Sequence, residues 1–213
     1  MLSFYVHIPY CIKRCGYCDF NTYTPSELQD GATLEIVSND YIDAVLRELK
    51  AAPTDLVPTI FFGGGTPSLL PAHDLGRVIA AIKARNGLTA DCEVTLEANP
   101  DSVTAEKLAE YLQVGFNRIS FGMQSAKPHV LAALDRTHNP ANVEKAIRMA
   151  RAAGFQSISV DLIYGTPGES LQDWQETVEA ALSLDIDHIS AYALIVETGT
   201  KLAAQIKRGD LTM

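Results

Sequence analysis

Long hydrophobic runs are absent from this 213-residue sequence, since no segment carries eighteen consecutive apolar residues. A helix that crosses a bilayer needs about twenty, so the composition argues against a helical membrane protein. The sequence also lacks a basic N-terminal region followed by a cleavage site, because Met1 leads directly into a strand-like pattern. We therefore expect a soluble, cytoplasmic protein.

Positive charge is also scarce. The 17 Lys and Arg residues are outnumbered by 26 Asp and Glu residues, which gives a formal net charge of −9. Proteins that bind nucleic acids need Lys and Arg to neutralise phosphates. Nucleic acid is therefore not an expected partner.

Cysteine is rare as well, with four in the whole chain, which does not suit a secreted disulfide framework. Cys11, Cys15 and Cys18 fall within eight residues, directly after the apolar stretch 3–8. In a reducing compartment such a cluster more often binds a metal than forms disulfides. Cys92 lies apart from them and is interpreted as a small buried apolar residue.

What the sequence does contain is an alternation of short β-type runs with longer amphipathic segments, repeated six times. This alternation is typical of an α/β protein with a parallel sheet. With 47% apolar residues, the chain can bury the core of one domain that covers residues 1–213. The predicted strands are Phe4–Ile8, Thr59–Phe62, Glu93–Glu97, Arg118–Phe121, Ser157–Ile163 and His188–Leu194.

Capping patterns predict where several helices begin and end. Asn139 followed by proline indicates an N-cap, and Gly154 indicates the end of the same helix. Ser170 and Asp173 resemble a capping box. The sequence also predicts a helix over residues 40–50, a second helix with the apolar stripe Leu75, Val78, Ile79 and Ile82, and a long polar loop over residues 21–39.

Six such units form either an open doubly wound sheet or most of a (β/α) barrel, and periodicity does not separate the two. Glycine, charged or amide residues follow five of the six strands, and the cysteine loop follows the first. An open sheet concentrates such residues at one switch point, whereas a barrel collects them from all its strand ends. A partial (β/α)6 TIM-like barrel is therefore favoured.

Thiolate ligands limit the metal in the cysteine loop to zinc or an iron–sulfur cluster. A structural zinc site needs four protein ligands, and the sequence offers no second Cys or His pair; nearby His7 is more typical of a packed or capping histidine. A four-iron cluster bound by three cysteines keeps one iron without a protein ligand. That iron could chelate the amino and carboxylate groups of S-adenosylmethionine (SAM).

Two segments together resemble the radical SAM superfamily: the spacing Cys11-x3-Cys15-x2-Cys18 after the first strand, and Gly63-Gly64-Gly65-Thr66-Pro67 after the second. The resemblance implies a [4Fe–4S] cluster with Cys11, Cys15 and Cys18 as its ligands. It also implies SAM as the second cofactor, whose sulfonium is cleaved by one electron from the cluster. The expected fold is the partial barrel of that superfamily.

Further segments narrow the resemblance to the oxygen-independent coproporphyrinogen III oxidase (dehydrogenase) group and its HemW-type heme chaperones. These segments are 5–9, 62–68, 97–100, 118–125 and 161–168, which together with the cysteine loop span nearly the whole chain. The resemblance implies a set of residues that contact SAM or another ligand. They are Tyr5, Tyr17, Gly64, Gly65, Thr66, Glu97, Gln124, Arg136 and Asp161.

Some of these residues are also supported by their own chemistry. Glu97, at a strand end, can accept hydrogen bonds from an ammonium group or a ribose; the alternative is a solvated charge at a helix entry. Asp161 lies in an otherwise apolar strand, where an unpaired carboxylate is costly, so a partner or ligand is expected. Tyr5 and Arg136 have plain alternatives, as a core residue and as an exposed cation.

Three functions are compatible with these residues. The dehydrogenases carry a further cysteine two positions after the third, whereas this chain has Phe20 there. Cys18-Asp19-Phe20 resembles the HemW-type group and implies a chaperone that binds and delivers heme. The alternatives are oxidative decarboxylation of coproporphyrinogen III and a zinc-binding scaffold without redox chemistry. The implied partners are heme or a porphyrinogen, an electron donor and a heme-recipient protein.

The resemblance is incomplete towards the C-terminus. HemW-type chains continue into a region with a His-Asn-x-x-Tyr-Trp heme motif, whereas this sequence ends at Met213. We therefore expect a radical SAM core domain without that C-terminal region. Phe20 and Ile195 are interpreted as core residues, and His129 and His138 as solvated side chains.

Overall fold

All six predicted strands form, and they lie side by side in one parallel sheet whose order follows the chain. The structure is a computed structural model that describes residues 2–28, 34–136 and 139–213, with the backbone alone for residues 34–37. The strands are β1 (Phe4–Ile8), β2 (Val57–Gly64), β3 (Leu88–Ala98), β4 (Arg118–Gln124), β5 (Ser157–Tyr164) and β6 (His188–Ala193).

Seven helices connect and follow these strands in the described ranges. They are α1 (Leu34–Leu49), α2 (Ala72–Asn86), α3 (Ala105–Gln113), α4 (Pro128–Ala133), α5 (Pro140–Ala153), α6 (Leu171–Leu182) and α7 (Lys201–Arg208). The strand order never reverses, as it would in a doubly wound sheet, and within those ranges β1 and β6 do not pair with each other. The fold is therefore an α/β partial barrel, as predicted. None of these helices is both long and apolar enough to cross a membrane.

The two faces of the sheet differ sharply in polarity, because side chains alternate along each strand. One face carries buried aliphatic and aromatic side chains. They pack against apolar side chains of the helices, such as Leu75 of α2 and Ile147 of α5. The opposite face, which is the inner face of the partial barrel, is polar. The apolar face comprises Val6, Ile8, Ile60, Phe62, Val94, Leu96, Ile119, Phe121, Ile158 and Val160.

The predicted helix caps are confirmed. The Asn139 side chain accepts a hydrogen bond from the Ala141 amide at 3.0 Å, and Gly154 ends α5 in the left-handed conformation with φ of 113°. Ser170 and Asp173 form the reciprocal capping box at the start of α6. These local signals are reliable because each satisfies backbone groups that the helix itself leaves unpaired.

Some predicted boundaries were too narrow. Helix α1 begins at Leu34 rather than at residue 40, so the predicted loop over residues 21–39 is shorter. Part of that segment forms a 3-10 turn over Pro25–Glu27, and its residues 29–33 lie outside the described residues. Strand β3 begins at Leu88, five residues before the predicted start at Glu93. Its first half alternates little in polarity, which hides it from a periodicity search.

Candidate metal centre

The three clustered cysteines lie in the loop that leaves the carboxyl end of β1. All three thiols are free and only partly buried, so they are accessible to a ligand. The loop is anchored at its base, where the Cys11 amide donates to the Tyr23 carbonyl at 3.0 Å. Burial raises the pKa of the Cys11 and Cys18 thiols. Because cysteine ligates metals as the thiolate, metal binding at these residues would release their protons.

The glycine loop after β2 packs directly against the cysteine loop. The Gly65 amide donates to the Ile8 carbonyl at 2.7 Å, and the Thr66 amide donates to the Tyr10 carbonyl at 2.8 Å. A Cβ atom at Gly65 would lie 2.6 Å from the Tyr10 oxygen and 3.0 Å from Cys11 Sγ. Only glycine permits this close approach. The predicted residues Gly65 and Thr66 are thus brought against the candidate ligands.

Gly64 is constrained in a different way. Its φ of 114° is rarely adopted by residues with a side chain, and an added Cβ would lie 2.5 Å from the His7 ring. Its amide donates to Glu97 Oε2 at 3.1 Å, so the same turn that approaches the cysteines also fixes a carboxylate. His7 itself is held between Tyr5 and the Asn21 carbonyl, which agrees with the packed histidine that was predicted.

Arg136 reaches the cysteine loop from the segment after α4. Its Nη1 lies 3.3 Å from Cys15 Sγ and its Nη2 donates to the Gly122 carbonyl at 3.0 Å. Its Nε is buried and has no hydrogen-bond partner in the part of the chain that the structure describes. Gln124 lies beside it, buried and with a positive φ of 63°. The alternative of Arg136 as an exposed cation is therefore wrong.

Tyr17 lies between the second and third cysteines and is partly buried. Its ring packs against Val130, Leu134 and Ile163, and burial raises its pKa. The adjacent Gly16 is tied on both sides, since its amide donates to the Leu134 carbonyl at 3.2 Å and its carbonyl accepts from the Leu202 amide at 2.8 Å. The cysteine loop is thereby held from β1, from α4 and from α7.

Two carboxylates occupy the inner face of the sheet near this loop. Burial raises the pKa of Glu97 to about 7, with a further contribution from the negative charge of Asp161. Burial also raises the pKa of Asp161, which accepts a hydrogen bond from Ser120 Oγ at 3.1 Å. The expected partner of Asp161 is therefore present. Paired carboxylates that burial leaves short of hydrogen bonds can bind an ammonium group or ribose hydroxyls.

Tyr5 is on the same inner face but is not a core residue. Its side chain is 59% exposed, its ring stacks on Phe61 with centroids 6.1 Å apart, and its hydroxyl contacts His7 Nδ1 at 3.1 Å. The exposed ring thus lies on the inner face of β1, next to its register partner Phe61 of β2. The structure brings four of the nine predicted contact residues to the cysteine loop, namely Tyr17, Gly65, Thr66 and Arg136. Gly64 and Gln124 adjoin these residues, and Tyr5, Glu97 and Asp161 lie on the inner face of the sheet.

Some sequence interpretations were wrong. Phe20 and Ile195 are 60% and 68% exposed and do not belong to the core. The imidazole of His129 is half-exposed but lies 3.3 Å from Asp173, so it is not simply solvated. His138 lies outside the described residues. Cys92 is buried, as predicted.

The donor set suits a cluster better than one metal ion. In the described ranges no three His, Cys, Asp or Glu side chains lie close enough together to bind a single ion. A tetrahedral zinc site needs four such groups on one centre, whereas a cubane cluster distributes its cysteines over separate irons. Three half-buried thiols, a glycine turn pressed against Cys11 and a guanidinium on Cys15 fit the second arrangement.

Comparison with known proteins decides the family. The pattern that describes the radical SAM superfamily matches residues 5–181. The chain belongs to the radical SAM superfamily. A radical SAM protein binds a [4Fe–4S] cluster and SAM, and when bound, the cluster supplies the electron that cleaves the sulfonium of SAM.

Radical SAM relatives of two kinds are similar to this chain. The heme chaperone HemW of Mycobacterium tuberculosis is 47% identical over 97% of the chain, and HemW of Escherichia coli is 37% identical over 93% of it. The solved structure of the coproporphyrinogen III oxidase HemN, a radical SAM enzyme of Escherichia coli, superposes with a TM-score of 0.83 at 28% identity over 99% of the chain.

The chain spans about half the length of the relatives that it matches. It covers 53% and 52% of the two HemW proteins and 48% of the HemN chain. The similarity therefore concerns the shared radical SAM region, which contains the cysteine loop, the glycine turn and both carboxylates.

Sequence reasoning missed one part of this region. Arg118, Ser120 and Ser159 form a hydrogen-bonded row on the inner face, next to Asp161. Serine is common in all structural settings, so a single serine gives no signal. The alternation of polar residues in β4 and β5, at positions 118, 120, 159 and 161, could have placed them on one face.

Proposed function

We propose that this chain is a single radical SAM core domain, over residues 1–213, of a cytoplasmic heme chaperone. The main support is the 47% identity to a HemW protein over nearly the whole chain. The proposed cargo is heme, and the proposed partners are an electron donor for the cluster and a protein that receives the heme.

In this proposal Cys11, Cys15 and Cys18 are the cluster ligands. Their support is their spacing, their partial exposure and the glycine turn pressed against Cys11. The SAM contacts are those that surround the loop and the inner face. They are Tyr5, Tyr17, Gly64, Gly65, Thr66, Glu97, Gln124, Arg136 and Asp161.

Phe20 favours the chaperone over the dehydrogenase. It occupies the position at which the dehydrogenases carry a further cysteine. Its side chain is exposed beside the metal loop. The dehydrogenase is the second candidate, because the HemN structure superposes with a TM-score of 0.83. Both candidates use the same cluster and SAM, so they differ only in what the protein does with a tetrapyrrole.

The metal is tested by anaerobic reconstitution with iron and sulfide. We expect a brown protein that contains about four irons per chain. SAM binding should then perturb the electron paramagnetic resonance spectrum of the reduced cluster. A protein that retains one zinc per chain and takes up no iron would overturn the radical SAM assignment of the cysteines.

The cargo is tested with two parallel incubations of the reconstituted full-length protein. In the first, heme is titrated and the Soret band of the bound form is measured. In the second, coproporphyrinogen III, reductant and SAM are supplied, and protoporphyrinogen is quantified. A chaperone gives a heme complex without conversion of the porphyrinogen. Conversion without a heme complex would establish the dehydrogenase instead.

A further inference from the structure

A row of side chains connects Arg118 with Asp161 across β4 and β5. Arg118 Nη2 donates to Ser159 Oγ at 3.2 Å, and Ser159 Oγ donates to Ser120 Oγ at 2.7 Å. Ser120 Oγ in turn donates to Asp161 Oδ2 at 3.1 Å. The row follows from the register of the sheet, in which Ser120 pairs with Ser159 and Asp161 is two residues further along β5.

The direction of every hydrogen bond in this row is fixed by its two ends. A guanidinium can only donate and an ionised carboxylate can only accept, so each serine must accept from one side and donate to the other. Ser159 and Ser120 are buried, which removes competition from bulk water. A chain of this kind polarises cooperatively, and each bond is strengthened by the one before it.

The origin of the row is itself held in place. Arg118 is surrounded by Thr95 at 3.4 Å, Glu93 at 3.5 Å and His188 at 3.3 Å. These contacts come from β3 and β6, the strands on either side of the pair that carries the row. The guanidinium therefore has little freedom to turn away from Ser159.

Asp161 is largely buried and lies near a second carboxylate, so its ionised form depends on hydrogen-bond donors and basic groups. Glu97 faces it from β3 with the same charge, whereas Arg118 and His188 are the basic groups that act on it. Ser190 of β6, which pairs with Asp161 in the sheet register, also lowers the pKa of the carboxyl group. A carboxylate accepts about four hydrogen bonds, so two serines leave capacity for a ligand.

We propose that Arg118, Ser159 and Ser120 are positioning residues, which orient the Asp161 carboxylate and keep it ionised for a ligand in the partial barrel. The identity of that ligand as SAM rests on the proposed function. The orientation of Asp161 by the row does not, because it concerns contacts within the chain alone.

The test uses Ser120→Ala and Ser159→Ala, with Ser120→Thr as the variant that retains a hydroxyl. The matched control is Ser38→Ala, because Ser38 is also a buried serine that donates to a buried aspartate, Asp74, at 3.4 Å. Two quantities are measured. One is the pKa of Asp161, from carbon-13 NMR of its carboxyl group in the metal-free protein. The other is the dissociation constant of SAM with the cluster-loaded protein.

We expect Ser120→Ala to raise the pKa of Asp161 and to weaken SAM binding about tenfold, since a hydrogen bond to a charged group is lost. Ser120→Thr should restore both quantities, and Ser38→Ala should change neither. An unchanged Asp161 pKa in Ser120→Ala and Ser159→Ala overturns the inference. If that pKa rises but Asp161→Asn binds SAM normally, the row positions Asp161 and the assignment of Asp161 to SAM is wrong.

Discussion

Arg136 Nη1 lies 3.3 Å from Cys15 Sγ, while the other terminal nitrogen of the same guanidinium donates to the Gly122 carbonyl at the end of β4. One side chain therefore couples the metal loop to the sheet. A charge-assisted hydrogen bond to sulfur and a bond to the backbone both require the planar fork of arginine. These two contacts therefore require both an arginine and its position at residue 136.

Replacement of Arg136 should separate its two contacts. Lysine keeps the charge but lacks the planar fork of donors. Arg136→Lys should therefore still bind the cluster, but its affinity for SAM should be about tenfold lower. Arg136→Met should lower the iron content as well, since it loses both contacts. Iron analysis and equilibrium dialysis with SAM measure these effects. Arg148→Lys, an exposed cation of α5, is the control. Wild-type SAM affinity in Arg136→Met would contradict the assignment.

Removal of any one ligand cysteine should abolish stable cluster binding. After reconstitution, Cys11→Ala, Cys15→Ala and Cys18→Ala are each expected to retain fewer than about one iron per chain, because two remaining thiolates do not hold a cubane. Cys92→Ala, which removes a buried cysteine distant from the loop in sequence, should retain the full iron content. Iron loss in the Cys92 variant alone would place the metal elsewhere.

Gly64 should tolerate a side chain far less well than Gly168. Both have positive φ, at 114° and 79°, but an added Cβ lies 2.5 Å from the His7 ring at Gly64 and meets nothing within 4 Å at Gly168. Gly168→Ala should lower the free energy of unfolding by about 1 kcal/mol through backbone strain. Gly64→Ala should lower it by about 3 kcal/mol or more, since steric overlap is added. Urea denaturation of the metal-free protein measures both, and equal losses would contradict the predicted contact.

Stability should depend on the protonation of Glu97. Its pKa is raised from 4.5 to about 7 on folding, so the folded state holds this proton more tightly than the unfolded state. The stability it contributes is therefore present below pH 4.5 and is lost as the pH rises through about 7, an effect of up to about 3 kcal/mol. Glu97→Gln should flatten this part of the curve of unfolding free energy against pH. The raised pKa of Asp161 contributes a dependence of the same sign, which remains in Glu97→Gln.

The same substitution should have the opposite effect on ligand binding. Glu97→Gln is expected to stabilise the metal-free protein at pH 8 and yet to weaken SAM binding, because the charged acceptor is gone. A SAM dissociation constant equal to that of the wild type would remove Glu97 from the proposed site. Asp91→Asn, an exposed carboxylate of the same strand, serves as the control for both measurements.

Much of the fold follows from patterns that act over short distances. The limits of β1 and the caps Asn139 and Gly154 were predicted correctly, because strand periodicity and unpaired helix termini leave local traces in sequence. The early start of α1 was missed, since the predicted stripe began only at Tyr41. Boundaries of this kind depend on packing that no local window contains.

The site was predictable to a similar degree. The cysteine spacing and the glycine turn carry their chemistry in adjacent residues, whereas the Arg136–Cys15 contact joins positions 121 residues apart. Phe20 and Ile195 were assigned to the core on their apolarity, but both are exposed, because the side of a loop that faces solvent is set by the whole fold. The contact between Ser120 and Ser159 could be recognised only from the register of β4 with β5.

The strand order of this sheet also has a bearing on assembly. Each strand pairs with the one made just before it, so the sheet can grow from β1 onwards as the chain is synthesised. Gly16 is an exception to this sequential growth, because its carbonyl accepts a hydrogen bond from the amide of Leu202. That bond can form only after Leu202, 186 residues later (202 − 16), has been synthesised. The cysteine loop is thus among the last parts of the chain to be fixed by hydrogen bonds. We expect it to stay open to incoming iron and sulfide until α7 docks.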